Sequence, residues 1–240
     1  MNKGLAAAAL CLALTVSPAE AKQAYNPLIF NLSTLFDFNP VKGHIKSLHA
    51  ETQDGNGRRF YRLDMAVARD GCVNALKLED RSQGFSLAVN REGNELTGRY
   101  NNQPVVFTLN ERCNLVSRKN GDELTEYQLY PNGRIKDVIF QGEKKAEHFY
   151  DRDWNLIKVE FYLSGKVSSS NQIYYPDTLR RPVDFTLVNR KVLSAGYTAA
   201  SRCDYDPRLV PLTCHIEIKP GGDGKKEPER FTAITQVSFY

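Results

Sequence analysis

The stretch Phe85–Leu109, FSLAVNREGNELTGRYNNQPVVFTL, decides the fold class of this chain. Apolar residues occupy every second position near both of its ends, as at Leu87 and Val89, and side chains two apart on a strand point the same way. Between these runs stand turn-forming residues such as Gly93 and Asn101. The stretch therefore predicts short antiparallel strands joined by hairpins, each strand with one apolar face.

The same pattern continues along most of the chain. From residue 51 to 165 a segment rich in Gly, Asn and Asp recurs about every ten residues. We therefore predict a single all-β domain over residues 22–240. Within it we expect an antiparallel meander over about 41–165, a connector over about 164–182 and C-terminal strands over about 183–240. No long amphipathic helix is expected.

A weaker period of about twenty residues overlies this pattern. Similar turn segments start at Asn90, Asn110, Tyr130 and Tyr150. One period contains two strands and two turns, so these segments are expected at one end of the sheet. The last of them carries Trp154 where a glycine is expected.

The first 21 residues have the features of an export signal. Lys3 gives a basic start, Leu5–Val16 is an apolar run, and small residues follow up to Ala21. We expect cleavage between Ala21 and Lys22 and release into the periplasm as a soluble protein. No later stretch has the ~20 apolar residues of a membrane helix.

The expected mature chain keeps four cysteines, and an oxidising compartment makes two disulfides the predicted state. Cys203 and Cys214 flank a proline-containing turn and are expected to pair, closing a loop worth about 3 kcal/mol in the chain-entropy model. Cys72 would then pair with Cys113, although four cysteines allow three connectivities.

Pairing of Cys72 with Cys113 would have a consequence for the shape of the sheet. Their strands are four apart in the meander, which in a flat sheet means a separation of about 19 Å. A disulfide requires Cα atoms within about 7 Å of each other. We therefore predict that the sheet curls strongly, into a barrel-like or sandwich-like form.

Charge and residue pattern argue against nucleic acid as a partner and against a membrane-spanning barrel. The net charge is only +4, and basic residues are interleaved with acidic ones, which does not indicate nucleic-acid binding. A membrane-spanning barrel is also not favoured. Counting back from Tyr240 in steps of two meets Ser238 and Gln236 rather than the apolar row that faces lipid in such barrels.

The reactive side chains form no recognisable catalytic or metal site. His44 and His49 would face opposite sides of a strand, and His148 and His215 are expected to be ordinary strand or surface residues. The run Ser168–Ser170 lacks the glycine-flanked setting of a hydrolase nucleophile and is expected in a solvated connector. We predict no catalytic residue, no cofactor and no metal.

Acidic and aromatic residues complete the set of candidates. Phe36 and Phe38 are expected in the core, whereas Trp154, Tyr174 and Tyr175 are candidates for an aromatic ligand surface. Three acidic pairs adjoin turns and are expected to cap or solvate them rather than to bind calcium: Glu79 with Asp80, Asp122 with Glu123, and Asp204 with Asp206.

Several features together resemble the YnfC family of bacterial envelope proteins. The resemblance covers most of the mature chain and rests on Phe36–Gly43, Asp70–Cys72, Cys113, Cys203–Asp206 with Cys214, and the ending Phe239-Tyr240. It implies an envelope protein, usually a lipoprotein, and no particular activity. Here the cysteine of the signal, Cys11, follows Leu10, which is too bulky for a lipidation site. We therefore expect an unlipidated protein, with a lipid-anchored one as the alternative.

The predicted function is non-catalytic binding in the envelope. A curled sheet with one apolar face could enclose a lipid-like ligand or present a surface to an envelope protein. The competing hypothesis is an envelope glycan hydrolase or another periplasmic enzyme, and the hydrolase requires two carboxylates about 5–10 Å apart across a cleft. A structural or scaffolding role is the third.

Overall fold

A computed structural model describes residues 24–222 and 227–240. The export signal and the expected cleavage site between Ala21 and Lys22 lie outside these residues. Sixteen antiparallel strands follow one another in simple chain order, and pairing of the last strand with the first closes the sheet into a barrel. The predictions of an all-β fold, an antiparallel meander and a barrel-like curl are confirmed.

In the described residues, one helix precedes the strands, α1 at Pro27–Phe36. The strands are β1 Ile45–Asp54, β2 Arg59–Val67, β3 Val73–Asp80, β4 Phe85–Glu92, β5 Glu95–Tyr100, β6 Gln103–Leu109, β7 Leu115–Asn120, β8 Glu123–Leu129, β9 Ile135–Phe140, β10 Glu143–Tyr150, β11 Leu156–Leu163, β12 Lys166–Tyr174, β13 Phe185–Lys191, β14 Tyr197–Tyr205, β15 Pro211–Pro220 and β16 Glu229–Phe239.

The apolar faces of the strands point into the barrel. In β2, Leu63 and Met65 are buried in the interior. Arg62 and Asp64 alternate with them along the strand and form an ion pair at 2.9 Å on the outer surface. The buried side chains of β1 to β9 pack in one cluster around α1, whose Leu32 is 1% exposed. The alternation seen in the sequence therefore marks an interior face filled by a core.

Helix α1 was not expected from the sequence, although its start carries recognisable signals. The Asn26 side chain accepts a hydrogen bond from the Ile29 amide, and Pro27 stands in the first turn, where its missing N–H costs nothing. Leu28 and Leu32 then give the spacing of an amphipathic helix. In the part of the chain that the structure describes, no helix is long and apolar enough to cross a bilayer.

The barrel has two ends, which we call the mouth and the base. The mouth carries the β8–β9 turn at 130–134 and the β10–β11 turn at 151–155, together with the β2–β3 turn. The base carries the β1–β2 turn at 55–58 and every second turn that follows.

Helix α1 spans the interior from mouth to base. The Asn26 amide nitrogen Nδ2 donates to the carbonyl of Gly71 in a mouth turn. The hydroxyl of Tyr61, near the base, donates to the carbonyl of Phe36 at the other end of the helix. Phe36 and Phe38 are both buried in the core, as predicted.

The connector predicted over 164–182 is wrong in its first part. Residues Lys166–Tyr174 form β12, which pairs with β11 and β13, and Ser168–Ser170 lie within that strand. Its residues between Ser168 and Ile173 are all half-buried, whichever face they occupy. The sequence KVSSSNQIY therefore lacks the alternation that revealed the other strands, and the true connection is residues 175–184.

Two disulfides are present, as predicted. Cys203 and Cys214 are cross-strand partners in β14 and β15, with Cα atoms 4.0 Å apart. Cys72 and Cys113 lie at two mouth turns, and their Cα atoms are 5.4 Å apart. A flat sheet would separate them by about 19 Å, so this disulfide accompanies the strong curl of the wall.

Candidate functional site

A series of similar turns surrounds the mouth, as the twenty-residue period predicts. In the turns 68–72, 110–114, 130–134, 151–155 and 206–210, the amide of the first residue donates to the carbonyl of the fifth, at 2.8 Å in turn 130–134 and 3.0 Å in turn 151–155. The fourth residue has a positive φ, 83° at Gly133 and 63° at Trp154. Glycine adopts this left-handed conformation without steric cost, whereas Trp154, like Cys113 and Leu209 in two of the other turns, holds it with a side chain.

The turn that carries Trp154 is stabilised locally. The Asp151 carboxylate accepts hydrogen bonds from the amides of Asp153 and Asn155, both at 2.9 Å. These bonds belong to the Asx-turn type, which helps a non-glycine residue to hold a left-handed backbone. The Trp154 side chain, 38% exposed, therefore lies at the mouth in a defined position.

Trp154 belongs to an aromatic cluster, but not the one predicted. Its ring centroid lies 5.5 Å from that of Tyr130 and 6.0 Å from that of Tyr150. Tyr174 is exposed at the end of β12, and the hydroxyl of Tyr175 donates to a backbone carbonyl of β11. The aromatic surface is thus built from residues of successive mouth turns.

A cavity of about 530 Å³ opens at the mouth beside the N-terminus of α1. This volume lies in the range of about 300–1,000 Å³ that small-molecule sites occupy. Within the described part of the chain, its lining includes three cations, one carboxylate and two aromatic rings, namely Lys42, Arg134, Arg152, Asp153, Tyr25 and Trp154.

Arg134 is the most unusual of these residues because its charge is buried. The side chain is 5% exposed, and its guanidinium carbon lies 3.4 Å from the Phe30 ring centroid and 5.6 Å from that of Tyr25. Its Nη1 is buried without a hydrogen-bond partner, and no carboxylate in the described part of the chain forms an ion pair with it. Burial lowers the pKa of Arg134 to about 10, so the group stays charged at neutral pH.

The candidate metal ligands do not form a site. The four histidines lie apart, with His49 paired to carboxylates on the outer surface and His148 buried: His44, His49, His148 and His215. Asp70 lies close to the sulfurs of Cys72 and Cys113. Those sulfurs are joined in a disulfide, so this group offers no thiolate for a metal.

Acidic residues chosen from the sequence serve turns where the structure shows their contacts. The carboxylate of Asp80 accepts from the backbone amides of the β3–β4 turn, and that of Asp206 from those of the β14–β15 turn. Asp122 and Glu123 are exposed at a hairpin of the base. Asp153, by contrast, lines the mouth cavity and was not selected from the sequence.

The cationic lining was also missed by sequence reasoning. Lys42, Arg134 and Arg152 are single basic residues in three separate loop segments, and the fold brings these segments together at the mouth. The turn period was the one available signal, since it predicts that residues of the segments beginning at Tyr130 and Tyr150 share an end of the sheet.

Comparisons with known proteins concern the chain as a whole. UPF0257 lipoprotein YnfC of Salmonella typhi is 22% identical over 247 residues, which cover 100% of both chains. The proteins of that name from Salmonella newport and Salmonella typhimurium have the same identity and coverage. Among solved structures, a porin-like protein from Bacteroides uniformis matches with a TM-score of 0.41 and 8% identity, covering 81% of this chain and 96% of that chain.

The family assignment rests on the full length of the sequence. Residues 1–240 match the family model described as Uncharacterised protein family (UPF0257). The curated relatives, which carry the name YnfC, agree with the resemblance seen in the cysteine pattern and the Phe36–Gly43 segment. The chain therefore belongs to the UPF0257 family.

Proposed function

We propose that this protein is an exported, non-catalytic binding module of the bacterial envelope, with the mouth cavity as its ligand site. The observation that carries the proposal is the cavity of about 530 Å³ at one end of a barrel whose interior is packed. Pockets of this size with convergent polar groups are the usual places for small ligands.

The packed interior changes where a ligand can lie. A lipid-like molecule enclosed by the curled sheet was one form of the sequence prediction. Helix α1 and the core around it occupy that space, with Leu28 and Phe107 each only 1% exposed. We therefore place the ligand at the mouth and do not propose an acyl chain inside the barrel.

The outer surface supports release into an aqueous compartment. Ion pairs stand on the outer face of the wall, including Arg62 with Asp64 at 2.9 Å and Lys158 with Glu160 at 2.6 Å. Barrels that span membranes present an apolar band at such positions. The curated relatives are named lipoproteins, but we propose cleavage after Ala21 without lipidation, and the lipid-anchored form is the alternative.

The lining of the cavity favours binding over glycan hydrolysis. A retaining or inverting glycosidase needs two carboxylates on either side of the bond that it cleaves. Of the described residues that line the mouth cavity, Asp153 is the one carboxylate. The hydrolase alternative therefore has no support at this site.

Native mass spectrometry of the protein purified from the periplasm tests the proposal. We expect a mass that begins at Lys22, without an acyl group, accompanied by a bound small molecule that denaturation removes. Thr178 lines the cavity, and Thr178→Phe should fill the mouth and lose the ligand. Thr198→Phe, at an exposed position of β14, is the matched control and should retain it.

Two results of the same experiment would contradict this function. A bare protein from every preparation would remove the ligand-binding proposal, and equal retention by both variants would move the ligand away from the mouth. A constant protein partner in place of a small molecule would favour the scaffolding role instead.

A further inference from the structure

We infer that the mouth cavity binds a phosphoryl group, with Arg134 as its main contact and with Lys42 and Arg152 beside it. This inference rests on the binding role proposed above and names the chemical class of the ligand. Its starting point is the guanidinium of Arg134, which lines the cavity, is 5% exposed and has a buried Nη1 without a hydrogen-bond partner.

A buried cation without an anionic partner is costly. Taking a charged group out of water requires compensation by hydrogen bonds or by an opposite charge. The Phe30 ring, 3.4 Å from the guanidinium carbon, supplies a cation–π contact to one face of the Arg134 group. The N–H donors lie in the plane of the guanidinium group. Because the ring contacts the face of this group, it does not use those donors. An anion bound in the cavity would compensate the charge of this group.

The surroundings of Arg134 add positive potential. Among the charged lining residues that the structure describes, three are cations and one, Asp153, is an anion. Pro27 at the start of the ten-residue helix α1 also lines it, so the positive end of the helix dipole faces the same space. Burial does not discharge Arg134 at neutral pH, because its pKa falls only to about 10. Several cations around a planar fork suit a phosphoryl dianion better than a single carboxylate.

The size of the cavity indicates that the phosphoryl group is part of a larger molecule. A volume of about 530 Å³ accommodates a whole small ligand, of which the anionic group fills only a portion. Trp154 and Tyr25 provide apolar ring surface for the remainder. The ligand class is therefore an organic phosphate monoester.

Trp154 makes this inference directly measurable, because it is the one tryptophan of the chain and it lines the cavity. We would titrate the intact mature protein at constant ionic strength and follow tryptophan fluorescence. The probes are inorganic phosphate, glycerol 3-phosphate and acetate. We expect a saturable change with both phosphates, tighter binding of the ester, and binding of acetate weaker by at least about tenfold.

Two variants test the contact residues, and a third tests whether the effect depends on where the substituted arginine lies. Arg134→Gln should weaken phosphate binding by about tenfold or more, and Arg152→Gln at the exposed rim by about threefold to tenfold. Arg190→Gln, at an exposed position near the base, should leave the affinity unchanged. Arg134→Gln removes a buried unpaired charge, so it should fold, and circular dichroism checks this. If it fails to fold, Arg152→Gln decides the question.

The outcomes separate this inference from the function on which it rests. Equal affinity of the wild type and Arg134→Gln, or no saturable response to either phosphate up to about 10 mM, would overturn the phosphoryl site. Native mass spectrometry can then still find a ligand on the wild type that the Thr178→Phe variant lacks. In that case the binding role stands and only the ligand class is wrong. Binding of inorganic phosphate with no gain from glycerol 3-phosphate would identify free phosphate as the source. Stronger binding of the ester points to an organic phosphate.

Discussion

The two sides of the barrel interior differ in chemistry. We call strands β1 to β9 the core sector, where inward residues such as Leu63, Leu76 and Phe107 are apolar and at most 2% exposed. Strands β10 to β14 form the polar sector, which buries His148 and Asn189 among fewer apolar contacts. Burial of polar groups costs free energy unless they are paired. Burial of apolar side chains in the core sector therefore stabilises the fold, whereas burial of polar side chains in the polar sector lowers the free energy of unfolding.

The largest expected effect lies in the core sector. Leu32→Ala removes a side chain that is 1% exposed at the centre of α1, so it leaves a cavity among the β2 to β9 side chains. We expect a loss of about 3 kcal/mol in the free energy of unfolding, within the usual range for buried leucines. Urea denaturation of the disulfide-bonded protein measures it.

The matched control is the same substitution at the surface. Leu193, in the β13–β14 turn, is 96% exposed, so Leu193→Ala should change the free energy of unfolding by less than about 0.5 kcal/mol. Similar losses for the two variants would show that α1 does not fill the barrel as described.

The contrast between the sectors also explains how far the sequence could predict the fold. Strand β6 was evident because the apolar residues Val105, Phe107 and Leu109 occupy alternate positions and fill a one-sided core. Strand β12 was not, because a wall that is half-buried on both faces imposes no alternation on Ser168–Ser170. Helix α1 was missed because its Asn26-Pro27 start is a short local signal, and the space that it fills exists only once the barrel has closed.

The candidate site was less predictable than the fold for a related reason. Trp154 was recognised as an unusual residue in a turn, and the turn period placed its segment at one end of the sheet. Arg134 follows Gly133 in another such turn, but nothing local indicates that its side chain folds inward over Phe30. That contact depends on the helix inside the barrel, which periodicity along single strands cannot reveal.

The second prediction concerns the pH dependence of the polar sector. Burial lowers the pKa of His148 to about 4, against 6.5 in the unfolded chain. The unfolded state therefore takes up a proton first as pH falls, so the contribution to stability is complete above pH 6.5 and is lost progressively towards pH 4. Between pH 7 and pH 5 the resulting loss in the free energy of unfolding is about 2 kcal/mol.

A variant isolates the contribution of this histidine from those of the carboxylates. His148→Phe should flatten the fall in unfolding free energy between pH 7 and pH 5 by about 2 kcal/mol, since phenylalanine does not titrate. His215→Phe, at an exposed position of β15, should leave the slope as in the wild type. Equal slopes in all three proteins would show that folding does not lower the pKa of His148.

The smallest expected effect concerns the amide pair of the polar sector. Asn171 and Asn189 are cross-strand partners, and Nδ2 of Asn189 donates to Oδ1 of Asn171 at 2.7 Å. Asn171→Ala leaves the largely buried Asn189 amide without that acceptor, so we expect a loss of about 1–2 kcal/mol in urea unfolding. Ser170, which precedes Asn171 in β12 and pairs with Arg190 on the outward face, provides the control, since Ser170→Ala should change stability by less than about 0.5 kcal/mol.

The double variant Asn171→Val with Asn189→Val shows why the pair sits there. Removing both polar partners together leaves no unpaired amide and adds an apolar cross-strand contact, so stability should return to within about 0.5 kcal/mol of the wild type or exceed it. That result would mean that the polar sector is not required for folding and that its amides persist for another reason. A double variant as unstable as the single one would instead make the polar pair a structural element, and the two sectors would then differ in chemistry but not in role.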